Sequence, residues 1–273
     1  MLGGIEMGAG QAELKIDGAI AQIVFSNPDQ GFMDQAMEAQ LLDAVTRVDA
    51  DPDVRVCVLM GAQPGVFIRH YDLKVLAPQA ASMAGRGLEF SMERPVREGP
   101  IHVALRRIEA SSTLFIAALN GSAMGGGFEL AIACDLRLVE EGDFEFGLPE
   151  INLGILPGAG GTQRLPHLIG QSRALQMTLT GDTLGPAGMV QWGLAMACVG
   201  DVRAEAMALA RRMAGKPARA ASHIKALVRG AHSCDDDGFA RERTLFCDLM
   251  VQPDAVRLLA QGAAGQRRIT DEP

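Results

Sequence analysis

Two glutamates, Glu129 and Glu150, each lie beside a glycine-rich turn in the stretch that runs from Ala118 to Gly161. Glu129 follows three consecutive glycines, and Glu150 precedes a second glycine-rich segment, PGAGG. Carboxylates are rarely set among so many apolar and glycine residues unless they are paired or functional. Two of them in one pocket would form an acid/base pair able to move a water molecule across a substrate.

The glycines at positions 125–127 limit the kind of ligand that this turn could hold. They let a ligand approach the backbone closely, and the helix predicted after them would present unpaired N–H groups. Such groups suit a phosphate or the oxygen of a polarised carbonyl. The sequence contains neither the dinucleotide pattern GxGxxG nor the P-loop pattern GxxxxGK followed by Ser or Thr. The carbonyl interpretation therefore remains.

Each glutamate also has a simpler structural interpretation. Glu129 could complement the dipole of the helix that it opens, and Pro149 followed by Glu150 is a common way to begin a helix. Their joint placement beside glycine-rich turns favours chemistry, but the two residues alone leave both interpretations open.

The composition narrows the class of protein. The 273 residues are 48% hydrophobic, which is enough for one large core, or for one core and a smaller appendage. The net charge of -8 disfavours nucleic acid as the main partner. The N-terminus lacks the basic flank and apolar run of a signal peptide, and the most apolar window is broken by charged residues and glycines. We therefore expect a cytoplasmic protein with no membrane span.

Cysteine and histidine spacing gives no indication of a metal site. The five cysteines form no CxxC pair, and the five histidines show no HxxxH or HExxH spacing. Apolar neighbours of Cys57 and Cys134 indicate small buried side chains in a reducing compartment.

Hydrophobic periodicity predicts an α/β fold with parallel strands and crossover helices. Strands are predicted over Gly18–Ser26, Val54–Met60, Thr113–Leu119 and Asp135–Glu140, and helices over Met33–Val48, Ile101–Ala110 and Gly126–Cys134. Residues 75–99 are predicted to be irregular, as a surface insertion rather than as a mobile loop over a site. After Asp201 the pattern is helical, over Ala204–Ala214, Ala220–Ala231 and Phe239–Gln261.

Three segments carry a resemblance to a known family: IAALNGSAMGGGFELAIACD, FGLPEINLGILPGAGGTQRL and LTGDTLGPAGMVQWG. They resemble the crotonase superfamily of enoyl-CoA hydratases and isomerases, and the likeness extends over about residues 14–230. The resemblance implies a ββα spiral core that binds acyl-CoA over residues 1–200. It also implies a helical C-terminal region over residues 201–273 that builds homotrimers or homohexamers.

The resemblance further implies a substrate and an oxyanion hole. The substrate is an acyl thioester of coenzyme A, with no separate cofactor and no metal. Its enolate is stabilised by two backbone N–H groups, which by matching position belong to Gly126 and Tyr71. Lys74 matches a basic residue near the CoA phosphates. The remaining substrate-binding residues are expected to be Arg69, Gly125, Pro149 and Gly158.

Glu129 and Glu150 match the two glutamates with which hydratases of this family bind and activate one water. The implied reaction is syn addition of water to a trans-2-enoyl-CoA. Two alternatives stay open: a family isomerase, or a hydratase or hydrolase of an unusual aromatic or cyclic acyl-CoA. A non-catalytic binding protein, including an RNA-binding one, is less favoured because the glutamate pair is intact and the charge is negative.

One segment departs from the family pattern. The usual Ala-Gly-Ala of the first oxyanion segment is replaced by Arg69, His70 and Tyr71. A backbone with positive φ at the glycine position would be strained in His70. The His70 side chain could add an acid/base group, although an outward-facing surface histidine is the favoured interpretation.

Overall fold

The computed structural model describes residues 10–27, 31–91 and 93–231, together with 243–246, 248, 252, 253, 255, 257 and 266. In these residues the strands are β1 Gln11–Asp17, β2 Ile20–Ser26, β3 Val56–Gly61, β4 Gly65–Ile68, β5 Leu114–Leu119, β6 Gly121–Met124, β7 Leu136–Glu140, β8 Phe146–Gly147 and β9 Ala197–Val199. The α-helices are α1 Gln35–Ala50, α2 Leu73–Gly85, α3 Pro100–Ala110, α4 Gly126–Ala133, α5 Gly161–Ile169, α6 Gln171–Thr180, α7 Pro186–Gln191, α8 Val202–Ala214 and α9 Ala218–Gly230. A 3-10 turn covers Glu150–Leu153.

The strands form two sheets, and from β3 to β8 successive strands along the chain add to the two sheets in turn. The larger sheet has the order β1-β2-β3-β5-β7-β9, and the smaller has the order β4-β6-β8. Only β1 and β2 pair antiparallel among these strands. Each consecutive pair, β3 with β4, β5 with β6 and β7 with β8, places one strand in each sheet. This arrangement confirms the predicted α/β class and the ββα spiral.

The larger sheet is covered on both faces, so its central strands are apolar at every position. All six residues of β3 are buried. Their alternation sends Val56 and Val58 toward α8, and Cys57 and Leu59 toward the other core. Helix α8 meets the sheet with Val202, Ala206 and Ala210, which recur every four residues on one face.

Local signals explain where α1 and α3 begin. The side chain of Asp34 accepts a hydrogen bond from the N–H of Met37 and so caps α1. Pro100 occupies the first turn of α3, where its missing N–H costs nothing. Both helices were predicted within a few residues of their observed bounds. The structure describes only scattered positions of the predicted helix Phe239–Gln261. The rest of that helix lies outside the described residues.

One prediction about the backbone was wrong. Residues 75–99 are not irregular throughout, because α2 runs through Leu73–Gly85 with Asp72 as its N-cap. The positive φ that would have strained His70 does not occur, because every described residue with positive φ is a glycine. The small sheet was not predicted at all, since its strands are only two to four residues long and therefore show no measurable alternation.

Glycine at position 127 is required by the close approach of α4 to β4. A Cβ at this position would collide with the carbonyl of Ile68, whereas a Cβ at Gly126 would meet only the Met33 sulfur at 3.7 Å. We expect Gly127→Ala to lower the free energy of unfolding by about 1–3 kcal/mol. The matched variant Gly126→Ala should change it by less than about 1 kcal/mol. Urea denaturation of both variants measures this difference, and equal midpoints would contradict the packing argument.

Candidate functional site

The site is formed by the segments that follow the three strands of the smaller sheet. Strands β4, β6 and β8 are parallel, so their carboxyl ends lie at one edge, where ligands commonly bind in parallel sheets. Tyr71, Gly126 and Glu150 follow these ends by two or three residues. They line a cavity of about 510 Å³, together with Met33, Glu38, His70, Leu73, Leu76, Ile101, His102, Gly125, Glu129, Pro149, Asn152, Leu153, Ile155, Leu156, Gly158 and Ala159.

Glu129 is the one ionisable side chain of the buried helix α4. Its Oε1 accepts hydrogen bonds from the backbone N–H groups of Ala159, at 2.8 Å, and Gly161, at 2.7 Å. Burial raises the pKa of Glu129, against the opposing effects of these two N–H groups and of the charge of Arg164. Both donors bind Oε1, and no hydrogen bond to Oε2 is formed by the described residues.

Glu150 begins the 3-10 turn and lines the same cavity. Its Oε2 is buried and has no hydrogen-bond partner among the described residues. Burial, and to a lesser extent the charge of Glu129, raises the pKa of Glu150 to about 7. The backbone of Gly125, with φ of 50°, brings its Cα so close that a Cβ would lie 3.0 Å from Glu150 Oε1.

Two backbone N–H groups in the cavity have no acceptor among the described residues. Gly126 is the first residue of α4, so its N–H has no intrahelical partner. At Tyr71 the chain forms a parallel bridge with Met33. Met33 N–H donates to the carbonyl of His70, and Asp72 N–H donates to the carbonyl of Met33. This alternation directs the N–H of Tyr71 away from the bridge.

The side chains of His70 and Tyr71 belong to the cavity wall, so the expectation of an outward-facing His70 was wrong. The His70 ring packs on Phe32, with ring centroids 4.3 Å apart, and its Nδ1 lies 2.8 Å from the carbonyl of Tyr71. A carbonyl only accepts, so Nδ1 carries the proton and Nε2 is the acceptor of the neutral ring. Burial and the charge of Glu38 raise the pKa of Tyr71 to about 12, which keeps its hydroxyl protonated.

The structure therefore brings together seven of the nine predicted site residues. Arg69 and Lys74 are exposed and lie outside the lining of the cavity. Sequence reasoning missed Glu38 and His102. Each lies in the first turns of its helix, where a polar residue is ordinarily interpreted as a cap or as a solvent-facing side chain.

Other parts of the described structure offer less chemistry. A wider cavity of about 820 Å³ lies between the Gly18–Ala19 turn and residues 217–220. Its described lining contains a single carboxyl group, that of Asp53, and so offers no acid/base pair. In the described residues no group of three or more His, Cys, Asp or Glu side chains could hold a metal ion. None of the described helices is long and apolar enough to cross a membrane.

The fold agrees with that of the relatives of the chain. The profile of the enoyl-CoA hydratase/isomerase family matches residues 15–257, and the chain belongs to that family. A crystal structure of an enoyl-CoA hydratase subunit I from Geobacillus kaustophilus HTA426 is 31% identical. It superposes with a TM-score of 0.81 over 97% of this chain and 100% of that chain.

Two curated relatives have similar identity but very different lengths. The Mycobacterium leprae (strain TN) protein described as "Probable enoyl-CoA hydratase echA8" is 35% identical over 80% of this chain and 82% of its own. The fatty acid oxidation complex subunit alpha of Shewanella putrefaciens (strain CN-32) is also 35% identical, over 65% of this chain. The match covers 25% of that protein, so the chain spans about a quarter of its length.

The raised pKa of Glu150 has a consequence for stability. The folded protein retains this proton up to about pH 7, whereas the unfolded chain releases it near the ordinary glutamate value of about 4.3. Folding stability should therefore fall as pH rises through this window. We expect Glu150→Gln to raise the melting temperature at pH 8 by about 2–4 °C, after allowance for solvent screening, and to have no effect at pH 4.

Scanning calorimetry at both pH values measures this difference. The exposed Glu89 supplies the control, and Glu89→Gln should leave the melting temperature unchanged at both. A Glu150→Gln protein that is no more stable at pH 8 than at pH 4, relative to the unmodified chain, would refute the assigned pKa.

Proposed function

We propose that the chain is an enoyl-CoA hydratase that adds water to a trans-2-enoyl-CoA and forms a 3-hydroxyacyl-CoA. The observation that carries the proposal is the presence of two carboxyl groups with different surroundings in the lining of one cavity. Glu129 is held by two N–H donors at a single oxygen. Glu150 has a buried, unpartnered oxygen and a pKa of about 7. Such a difference in environment is the usual basis for dividing acid and base roles.

The proposed roles follow from these environments. Glu129, as the carboxylate, takes a proton from water while the water oxygen bonds to C3 of the substrate. The electron pair of the C2=C3 bond moves toward the thioester oxygen, where the N–H groups of Tyr71 and Gly126 stabilise the negative charge. Glu150, as the protonated acid, delivers its proton to C2. The net addition is one water, and proton exchange with solvent restores both glutamates.

Several further assignments follow the family resemblance. Gly125, Pro149 and Gly158 would contact the acyl thioester, and the exposed cations Arg69 and Lys74 would meet the CoA phosphates outside the cavity. The reaction as proposed needs no cofactor beyond the CoA thioester. A role in fatty acid oxidation, assembly as a homotrimer or homohexamer through residues 201–273, and a cytoplasmic location are proposed on the same basis.

Substitution of either glutamate tests the proposal. With trans-2-butenoyl-CoA as substrate, Glu129→Gln and Glu150→Gln should each lower kcat by about 10²–10⁴-fold, because each removes one proton-transfer group. The rate is followed by loss of absorbance of the conjugated thioester. The control is Glu145→Gln, an exposed glutamate outside the cavity, which should retain full activity.

Product analysis in ¹⁸O-labelled water separates hydration from isomerisation. A hydratase incorporates one labelled oxygen at C3, whereas an isomerase converts a 3-enoyl to a 2-enoyl thioester without label. Unlabelled product, or full activity in the Glu150→Gln protein, would eliminate the hydratase proposal.

A second candidate is hydration of an unusual, aromatic or cyclic acyl-CoA by the same glutamates. It is favoured by the polar and bulky side chains of His70, Tyr71 and Glu38 on the cavity wall. Glu38 makes no side-chain hydrogen bond or ion pair to the described residues, and burial raises its pKa. A carboxyl and a phenol in one wall would suit a substrate that carries its own hydrogen-bonding group.

Replacement of Tyr71 tests this second candidate. Tyr71→Ala keeps the backbone N–H but removes the ring and hydroxyl. We expect kcat/KM for trans-2-butenoyl-CoA to change by less than about fivefold, and the preference for a hydroxyaryl over a straight-chain enoyl-CoA to fall by about 10-fold or more. An unchanged preference would leave the straight-chain hydratase as the sole proposal.

A further inference from the structure

Hydrogen bonds hold the turn at residues 158–161 through both its N–H and its carbonyl groups. Its N–H groups donate to Glu129 Oε1. Its carbonyl groups accept hydrogen bonds from two side chains. His102 Nε2 lies 2.9 Å from the carbonyl of the first turn residue, and Arg164 Nη1 donates to that of Ala159 at 2.7 Å. The orientation of the turn therefore determines where the carboxylate of Glu129 lies.

Arg164 is itself fixed by a forked ion pair. Its Nε and Nη2 donate to the two carboxylate oxygens of Glu109, each at 2.8 Å, and both side chains are mostly buried. Bidentate pairs of this kind fix the plane of the guanidinium as well as its position. Nη1 of Arg229, from α9, lies 3.4 Å from Glu109 Oε1, the oxygen that also accepts from Arg164 Nε. The remaining Nη1 of Arg164 is thereby aimed at the turn.

Helix α3 supplies His102, which contacts the turn directly, and Glu109, which holds Arg164. His102 and Glu109 are seven residues apart, which is two helical turns, so they lie on the same face. The N–H of Gly99 donates to Nδ1 of His102 at 3.0 Å, so in the neutral ring Nε2 carries the proton that reaches the turn. Within the turn, Gly160 has a φ of 99°, and a Cβ at this position would collide with the guanidinium of Arg164.

We propose that Arg164 and Glu109 are positioning residues for Glu129. They orient the turn so that both of its N–H groups bind one oxygen of Glu129 and leave the other for the reacting water. This inference rests on the proposed hydratase reaction, but it concerns residues that touch neither substrate nor water.

The charge of Arg164 gives the positioning role a measurable signature. The charged and titratable groups that act on Glu129 are Arg164 from α5, His102 from α3 and Glu150 from the 3-10 turn. Strands β4 and β6, which also pack against α4, contribute no titratable side chain. The charge of Arg164 lowers the pKa of Glu129. Removal of that charge should therefore leave Glu129 protonated to a higher pH.

The experiment compares Arg164→Gln, Arg164→Lys and Glu109→Gln with the exposed control Arg106→Gln, which lies on α3 and pairs only with Glu98 in the described structure. Arg164→Gln should lower kcat by about 10–100-fold with KM nearly unchanged, and should move the acidic limb of the pH profile up by about one unit. Arg164→Lys should restore the limb but only part of kcat, because an ammonium group cannot form the fork.

A second readout does not depend on activity. Infrared titration of the carboxyl band that disappears in Glu129→Gln reports the protonation of Glu129 directly. The band should titrate at higher pH in Arg164→Gln and at the unmodified value in Arg106→Gln. A shifted band in a protein that hydrates no enoyl-CoA would support the positioning role and refute the hydratase.

The opposite result overturns the inference. If the unmodified protein hydrates its substrate and Arg164→Gln leaves kcat, the acidic limb and the band unchanged, Arg164 does not position Glu129. If circular dichroism shows that Arg164→Gln does not fold, Glu109→Gln and Arg164→Lys decide the question. Normal kcat in both of those folded variants would equally refute it.

Discussion

The buried carboxylate of Glu129 needs hydrogen-bond donors, and this requirement constrains much of the structure. Glu129 is 2% exposed on a helix whose other residues are apolar or glycine, and a carboxylate in that position is strongly destabilising without hydrogen-bond donors. Both donors come from a turn some 30 residues later in the chain. Helix α4, the turn at 158–161 and helix α5 must therefore hold one mutual arrangement, and the geometry of the cavity follows from it.

The smaller sheet brings the other parts of the site to the same place. Its three parallel strands are short, yet each ends beside the next and releases its chain at one edge. The larger sheet, buried on both faces, contributes most of the apolar core and fixes the spacing of successive ββα units. The two sheets therefore have different roles. The long strands bury apolar surface, and the short strands align the segments that carry Tyr71, Gly126 and Glu150.

The electrostatics of the site oppose stability. Glu150 is half-buried, with a buried and unpartnered Oε2. Burial and the charge of Glu129 both raise its pKa. An arrangement of this kind is retained where the stored free energy serves a reaction, and other contacts must offset it. The ion pairs among Arg164, Glu109, Arg229 and Asp135 supply such contacts around α4. They also link helix α9 to the turn that binds Glu129.

The sequence by itself determined the α/β class, strands β2, β3, β5 and β7, helices α1, α3, α4, α8 and α9, the two glutamates and the glycines at 125–127. These features depend on local spacing, periodicity and motifs that adjacent residues carry. Only the tertiary structure decided the remaining strands and helices, the small sheet, the inward position of His70, and the positions of Glu38 and His102 in the cavity wall. The small strands are too short to show a period. The contacts that hold the turn, His102 with Gly158 and Glu109 with Arg164, join residues 56 and 55 positions apart. Such pairs come together only when the ββα units stack.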